Sequence, residues 1–279
     1  MAFSFDCFAV THIGNHRKSN EDNFLIGEML SPEEQSSMSQ NGNRVIYKSH
    51  TANGTENNIF AVSDGMGGHK YGEVASYMVV NSLTQFITQN TMKSCRKRQD
   101  KFAYIKSFQE MVNLANQDIL QFAEENSASE NMGATLSGLI AFADEVAPVN
   151  IGDSSTFLFE GKTLRKLTTD DNEGTMFGEV SLSEIKANGK RLTKYFGLPK
   201  SSGILTATVS TPITLRAGQI FIIASDGLTD CLTHDDISII LVENPNDIKN
   251  AADSLIGSVL GRADGGRDNI TIVMLMINK

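Results

Sequence analysis

Between Gly72 and Phe122 the apolar residues of this chain keep the period of a helix, and on either side they do not. Ala75, Val79, Leu83 and Ile87 recur four apart, while Ile105, Phe108, Val112, Ala115, Ile119 and Phe122 recur at steps of three and four. Each set covers one helical face, which predicts two long helices, paired antiparallel and laid on a sheet. The flanking segments are runs of branched and aromatic residues bounded by turn chemistry, the signature of strands. They are NIFAVS (Asn58–Ser63), GATLSGLIAFA (Gly133–Ala143), VNIG and STFLFEGKTLRKL within Val149–Leu167, QIFIIAS (Gln219–Ser225) and NITIVMLMIN (Asn269–Asn278). The Glu160–Lys162 turn predicts a hairpin. Ile248, Ala252, Leu255 and Val259 repeat the helical stripe after Pro245. Strands before and after a helical pair, with no regular βαβ alternation, predict an α+β fold rather than a doubly wound one.

Two polar segments interrupt this pattern. Residues from about Ser31 to Asn57 read as a long variable loop holding at most a short strand at Arg44–Lys48. Residues from about Asp171 to Gly203 read as an excursion with a short helix around Ser181–Ala187. The 279 residues are expected to form one domain. Net charge is −9, from 24 basic and 33 acidic residues. That balance speaks against a nucleic-acid partner, because such binding is driven largely by phosphate neutralisation. The one basic cluster, KSCRKR at Lys93–Arg98, reads as a solvated loop. No apolar run approaches the ~20 residues that span a bilayer. The start, MAFSFDCFAVTHIG, lacks the parts of a signal peptide, so the cytoplasm is the expected address and no membrane contact is expected. Cys7, Cys95 and Cys231 are too few for a disulfide framework or a thiolate metal site. None has an arginine six positions on, which excludes the phosphate loop of cysteine-dependent phosphatases.

Two of the strands end alike: FAVSDGMGG from Phe60 and FIIASDGLTD from Phe221. A carboxylate at the mouth of a buried strand is costly unless a positive charge answers it. Further acids sit at predicted strand edges: Glu21 and Asp22 in RKSNEDNF, Asp153 in NIGDSS and Asp268 in GRDNIT. Together with Asp64 and Asp226 they would repel one another wherever the edges converge. A divalent cation removes both problems. Mg²⁺ and Mn²⁺ favour carboxylate, carbonyl and water oxygens, and no histidine or cysteine pair stands near to favour zinc. Gly65 is read as the residue that lets the backbone turn tightly enough to aim its carbonyl at the same ion. Two ions ~3.5–4 Å apart can share a bridging water and turn it into a nucleophile near neutral pH. Arg17, five residues before Asp22, offers a planar fork suited to two phosphate oxygens. On an extended stretch Glu21 and Asp22 face opposite ways, so one is expected to orient a water and the other to be structural.

Taken in order, these residues resemble the metal-dependent Ser/Thr protein phosphatases of type 2C, in particular the bacterial branch. The resemblance runs through THIGNHRKSNEDNF, with Gly14, Arg17, Asn20, Glu21 and Asp22 in register. It continues through FAVSDGMGGHKYGEVAS, MGATLSGLIA, VNIGDSS, LRKLTTDD, IIASDGLTD and GRDNITIVML, from about Thr11 to Ile277. It implies a four-layer αββα sandwich of two antiparallel sheets flanked by helix pairs, with the metals at one end. It also implies hydrolysis of phosphoserine and phosphothreonine by a metal-activated water, with no covalent enzyme intermediate. Asp64 would bridge two ions of Mg²⁺ or Mn²⁺, the Gly65 carbonyl would bind the first, and Asp226 and Asp268 the second. Asp153 would join Asp226 at a third, weaker site. Arg17 would hold the phosphate, and Glu21 and Asp22 would work through metal-bound waters. The partners so implied are phosphorylated proteins, substrates of a Ser/Thr kinase, met by a monomeric enzyme. The segment at 171–203 corresponds to the family's variable flap.

The sequence departs from the family at His12, at Ser155 where an arginine is usual, and at Asp171 where a histidine is common. Met66 stands where some members carry a histidine proton donor, which leaves the general acid open between His69 and a metal-bound water. A catalytically inactive phosphoprotein-binding module is the alternative, although no metal acid is missing. The Gly-Asn-His at Gly14–His16 also suits a calcineurin-like metallophosphatase, but that class needs a glutamate after the histidine and further motifs that are missing.

Overall fold

The structure, a computed structural model, describes residues 3–53, 58–66, 71–92, 101–128, 132–176, 191–262 and 268–279. Its strands are β1 (Ser4–His12), β2 (Asn23–Leu25), β3 (Val45–Asn53), β4 (Asn58–Ser63), β5 (Gly65–Met66), β6 (Gly133–Ala134), β7 (Leu136–Phe142) and β8 (Glu145–Ile151). They continue with β9 (Ser155–Glu160), β10 (Thr163–Lys166), β11 (Thr208–Val209), β12 (Ile213–Thr214), β13 (Ile220–Ala224) and β14 (Ile270–Asn278). One sheet runs β10-β9-β13-β14-β1-β3 and the other β11-β8-β7-β4-β2, with β12 also on β8 and every pairing antiparallel.

Alternation along the strands builds the layers. Phe60 and Val62 of β4 face Phe5, Phe221, Val273 and Leu275 across the gap between the sheets. Ile59 and Ala61 face the other way, onto Ala75, Val79 and Leu83 of the helix Gly72–Met92 and onto Phe108 and Val112 of the helix Lys101–Glu125. Ile270, Ile272 and Met274 of β14 meet Leu241 of the helix His234–Glu243 and Ala252, Leu255 and Val259 of the helix Ile248–Leu260. Three apolar cores thus separate four layers, each fully buried Ile, Leu or Phe contributing about 1.5–3 kcal/mol. The central strands of both sheets are covered on both faces, so they read as nearly unbroken apolar runs, while the edge strands β3 and β10 do not. Among the described residues no helix is long and apolar enough to cross a membrane.

The α+β expectation and the helical stripes agree with this architecture. So does the hairpin: Gly161 and Lys162, at φ 58 and 68, make the two-residue turn between β9 and β10. Three readings are corrected. The segment 31–57 is no plain loop, since it holds the capped helix Pro32–Ser37 and the nine-residue edge strand β3 in place of a short strand at Arg44–Lys48. β1 has no counterpart among the predicted strands; it lies between β14 and β3, buried on both faces over most of its length. β8 begins at Glu145, ahead of the predicted Val149, and passes through Pro148. The proline is tolerated because β11 and β12 pair with residues on either side of it, and its carbonyl accepts from Ser210 N at 2.8 Å. The predicted helix at Ser181–Ala187, the cluster Lys93–Arg98 and His69 lie outside the described residues.

Candidate metal centre

Antiparallel pairing brings the acidic strand ends to one place. His12 at the end of β1 pairs with Ile270 at the start of β14, and Ala224 at the end of β13 pairs with Ile272 and Ser155. In the second sheet Asn23 pairs with Ser63, and Leu136 with Ile151. The residues just beyond these ends surround a cavity of about 230 Å³, lined by Arg17, Glu21, Asp64, Gly65, Met66, Thr135, Asp153, Leu192, Asp226 and Asp268. Five of the six predicted acids face it. The sixth, Asp22, does not. It is wholly buried, its Oδ2 accepts from Ser225 Oγ at 2.8 Å, and its buried Oδ1 has no hydrogen-bond partner. Alternation explains the split: Glu21 turns to the cavity and Asp22 behind it. Glu21 thus faces the cavity directly, while Asp22 stands behind its wall with one carboxylate oxygen on Ser225 and the other unpartnered.

The two Ser-Asp-Gly endings have a shared geometry. A Cβ on Gly65 would lie 2.1 Å from the Gly72 carbonyl oxygen and 2.4 Å from that of Glu21. A Cβ on Gly227 would lie 2.0 Å from the Asn269 carbonyl oxygen. Each glycine therefore lets a second chain segment pass against the aspartate's own backbone. Gly65 sits in β5, outside the left-handed region, so close approach and not a tight turn requires it. Each serine is a brace. Ser63 Oγ donates to the Thr135 carbonyl (2.7 Å), and Ser225 Oγ takes the Thr271 amide (2.9 Å) while donating to Asp22. Asp64 N donates to Thr135 Oγ1 at 3.0 Å, and Thr135 N to the Asp64 carbonyl at 2.9 Å, which locks the aspartate at the cavity wall. Thr135 breaks the long predicted strand into β6 and β7 for this purpose.

Glu21 is placed by three groups. Its amide donates to Asn269 Oδ1 (2.8 Å), its carbonyl accepts from Ser76 Oγ (2.6 Å), and its carboxylate lies against Gly72 at the start of the helix Gly72–Met92. Asn269 Nδ2 also donates to the carbonyls of Ile13 and Ser19, both at 3.0 Å. Asn269, Thr135 and Ser225 were not singled out from the sequence. Their only signal was adjacency to the acids within the quoted motifs.

The charge balance is lopsided. Burial is the main cause that raises Asp64 well above the ordinary carboxylate value, with repulsion from Asp22, Asp226, Asp153 and Asp268 adding to it. Burial, then Asp153 and Asp230, push Asp226 up to about 8. Burial pushes Asp22 up to about 7, against hydroxyl hydrogen bonds that oppose the rise. Among the described residues Arg17 is the one cation in the lining. Its Nε and Nη2 grip Asp268 Oδ1 and Oδ2 at 2.6 and 2.8 Å, and Nη1 stands 4.0 Å from Glu21 Oε2. The hydrogen bond to Asp268 is the largest cause that holds the guanidinium protonated.

The donor set fits a hard divalent cation: five carboxylates and Gly65 line the cavity, and among the described residues no imidazole or thiol joins them. Among the described residues no three acids close into a direct cage. Burial, with mutual repulsion added to it, lifts the aspartates, and that penalty is what such an ion cancels.

Comparison with known proteins agrees with this geometry. Residues 47–244 match the family model described as protein phosphatase 2C. The serine/threonine phosphatase stp of Listeria welshimeri is 29% identical over 223 residues, covering 79% of this chain and 84% of that protein. Protein phosphatase PhpP of Streptococcus pneumoniae is 26% identical over 242 residues, covering 85% and 93%. The solved catalytic domain of the phosphatase PstP in complex with two manganese ions has the same fold, with a TM-score of 0.73 and 23% identity over 99% of this chain and 100% of that one. The chain belongs to the protein phosphatase 2C family, the metal-dependent serine/threonine protein phosphatases.

Proposed function

We propose that this chain hydrolyses phosphoserine and phosphothreonine in proteins with Mg²⁺ or Mn²⁺ held by the acids of the cavity. The observation that carries this reading is the convergence of Glu21, Asp64, Asp153, Asp226 and Asp268 with Arg17 on one small cavity. Asp64, shared between them, the Gly65 carbonyl, Asp226 and Asp268 would hold two such ions. Asp153 is assigned, with Asp226, to a third. Held there, such ions would supply a water acidic enough to act as a nucleophile near neutral pH.

The chain's own residues do the rest. Arg17 presents its fork to two phosphate oxygens, exchanging the Asp268 carboxylate for the substrate's anion at the same two donors. Glu21, fixed by Asn269 and Ser76, orients water at the cavity wall. Asp22 acts from behind, holding Ser225 and through it the backbone that carries Asp226. Leu192 and Met66 add apolar side chains to the cavity lining. The proton for the departing serine or threonine oxygen comes from water or from His69. Residues 1–279 act as one catalytic domain, a cytoplasmic monomer whose partners are phosphorylated products of a Ser/Thr kinase.

The test is a phosphothreonine peptide incubated with purified protein and Mn²⁺. Phosphate release that disappears in Asp64→Asn is expected. Equal rates in the two proteins, or none in either, would sink the reading.

A further inference from the structure

The loop that carries Arg17 follows β1, and β1 has β14 on one side and β3 on the other. Asn269, just before β14, holds the loop from the first side through the carbonyls of Ile13 and Ser19. The segment just before β3 holds it from the second. There the Arg44 carbonyl accepts from Ile13 N at 3.0 Å, and Arg44 Nη2 donates to the Gly14 carbonyl at 2.5 Å. Gln40 Nε2 donates to the carbonyl of Arg17 itself, also at 2.5 Å. Ser39 forms a β-bridge with Ser19, and Met38 Sδ accepts from Asn20 Nδ2 at 3.2 Å. Gly14 adopts φ 73, so the loop turns sharply at the carbonyl that Arg44 secures.

The holding segment is itself braced. Ser39 N donates to the Asn43 carbonyl and Gly42 N to that of Ser39, both at 3.1 Å. The preceding helix starts with a reciprocal cap between Ser31 and Glu34. Only Met38 of this stretch is in the core, and residues 41–44 are exposed. The segment contributes little buried apolar surface, and its polar side chains are spent on main-chain carbonyls of the Arg17 loop.

We propose that Gln40 and Arg44 are positioning residues for Arg17. They form a second clamp, opposite Asn269, that fixes how far the guanidinium reaches into the cavity and so sets the affinity for phosphate. This rests on the reading of Arg17 as the phosphate-holding group. It gives the polar stretch after Ser31 a task in recognition.

The experiment is calorimetric titration of the Mn²⁺-loaded protein with inorganic phosphate, with Mn²⁺ affinity and Tm measured separately. Gln40→Ala, which leaves the charge alone, and Arg44→Met are each expected to weaken phosphate by about threefold to tenfold, the effect of losing one such hydrogen bond. Mn²⁺ affinity should not fall, Tm should drop by no more than one partly exposed hydrogen bond accounts for, and Arg44→Lys should recover part of the loss. In an Arg17→Ala background neither change should weaken phosphate further. Unchanged phosphate affinity in Gln40→Ala and Arg44→Met, alongside a loss in Arg17→Ala, overturns the clamp and leaves the reading of Arg17 standing. The same loss repeated in the Arg17→Ala background also overturns it. If Arg17→Ala binds phosphate like the parent, the role of Arg17 falls first and the clamp with it.

Discussion

Arg17 and Asp268, 251 residues apart in the chain, face each other through two hydrogen bonds, Nε to Oδ1 at 2.6 Å and Nη2 to Oδ2 at 2.8 Å. The pair joins the residue assigned to phosphate with one assigned to metal, so each ligand competes for half of it. With side chains 38% and 41% exposed, the pair is screened by solvent and separates at small cost. Replacing Arg17 by methionine removes both a competitor for Asp268 and a positive charge beside the acids. Mn²⁺ affinity by calorimetry is therefore expected to rise in Arg17→Met while phosphate affinity falls by about tenfold or more. A drop in Mn²⁺ affinity would contradict the arrangement.

Asp64 is held for function against stability. Its carboxylate is enclosed among four other acids, and its charged form is disfavoured. Asp64→Asn keeps the shape and removes the charge. Phosphatase activity should fall by more than ~100-fold, beyond what loss of a supporting contact costs. The Tm of the protein in EDTA should rise, because an unanswered buried charge has gone. Thermal scans with and without EDTA check both arms.

The pH dependence follows from the same acids. Asp22 and Asp226 are raised from 3.8 to about 7 and about 8. Between pH ~4 and ~8 the folded chain keeps protons that the unfolded chain has released, so stability falls as pH rises through that range. The metal-stripped protein should therefore lose Tm from pH ~5 to ~8. Mn²⁺ should restore more at pH ~8 than at pH ~5, with protons released on binding. A flat Tm in EDTA across that range would contradict the assigned burial.

Ser225 touches no ligand assigned here, yet it ties Asp22 to the Thr271 amide beside Asp226. Ser225→Ala is expected to lower Mn²⁺ affinity or activity by about 10–100-fold, the range for groups that orient ligands. An effect confined to Tm would make Ser225 a packing residue only.

Gly65 and Gly227 test the close approach. In each, an added methyl meets a backbone oxygen at about 2 Å. Gly65→Ala and Gly227→Ala should each destabilise by roughly 2–3 kcal/mol in urea unfolding, since backbone, and not a flexible side chain, has to shift. Gly257→Ala, which meets nothing within 4 Å, is the control.

Local chemistry made part of this molecule legible in sequence. The stripes of the helices Gly72–Met92 and Lys101–Glu125 report which face is buried, because a helix shows its environment within a few turns. The Gly161–Lys162 hairpin and the acids at strand ends are equally local. What remained hidden depends on which strands become neighbours. β3 presents mostly half-exposed polar residues, so it reads as loop until β1 pairs with it along all nine positions. Gly65 looks like a turn glycine until Glu21 and Gly72 are seen crowding it. Glu21 and Asp22 precede β2, and alternation alone says that they face apart; which of them meets the cavity and which is buried follows from where the pairing of β2 with β4 sets them down. Residue type and spacing determined what chemistry this protein can carry. Strand pairing decided where that chemistry meets, because contacts between distant segments depend on register, which local periodicity does not record.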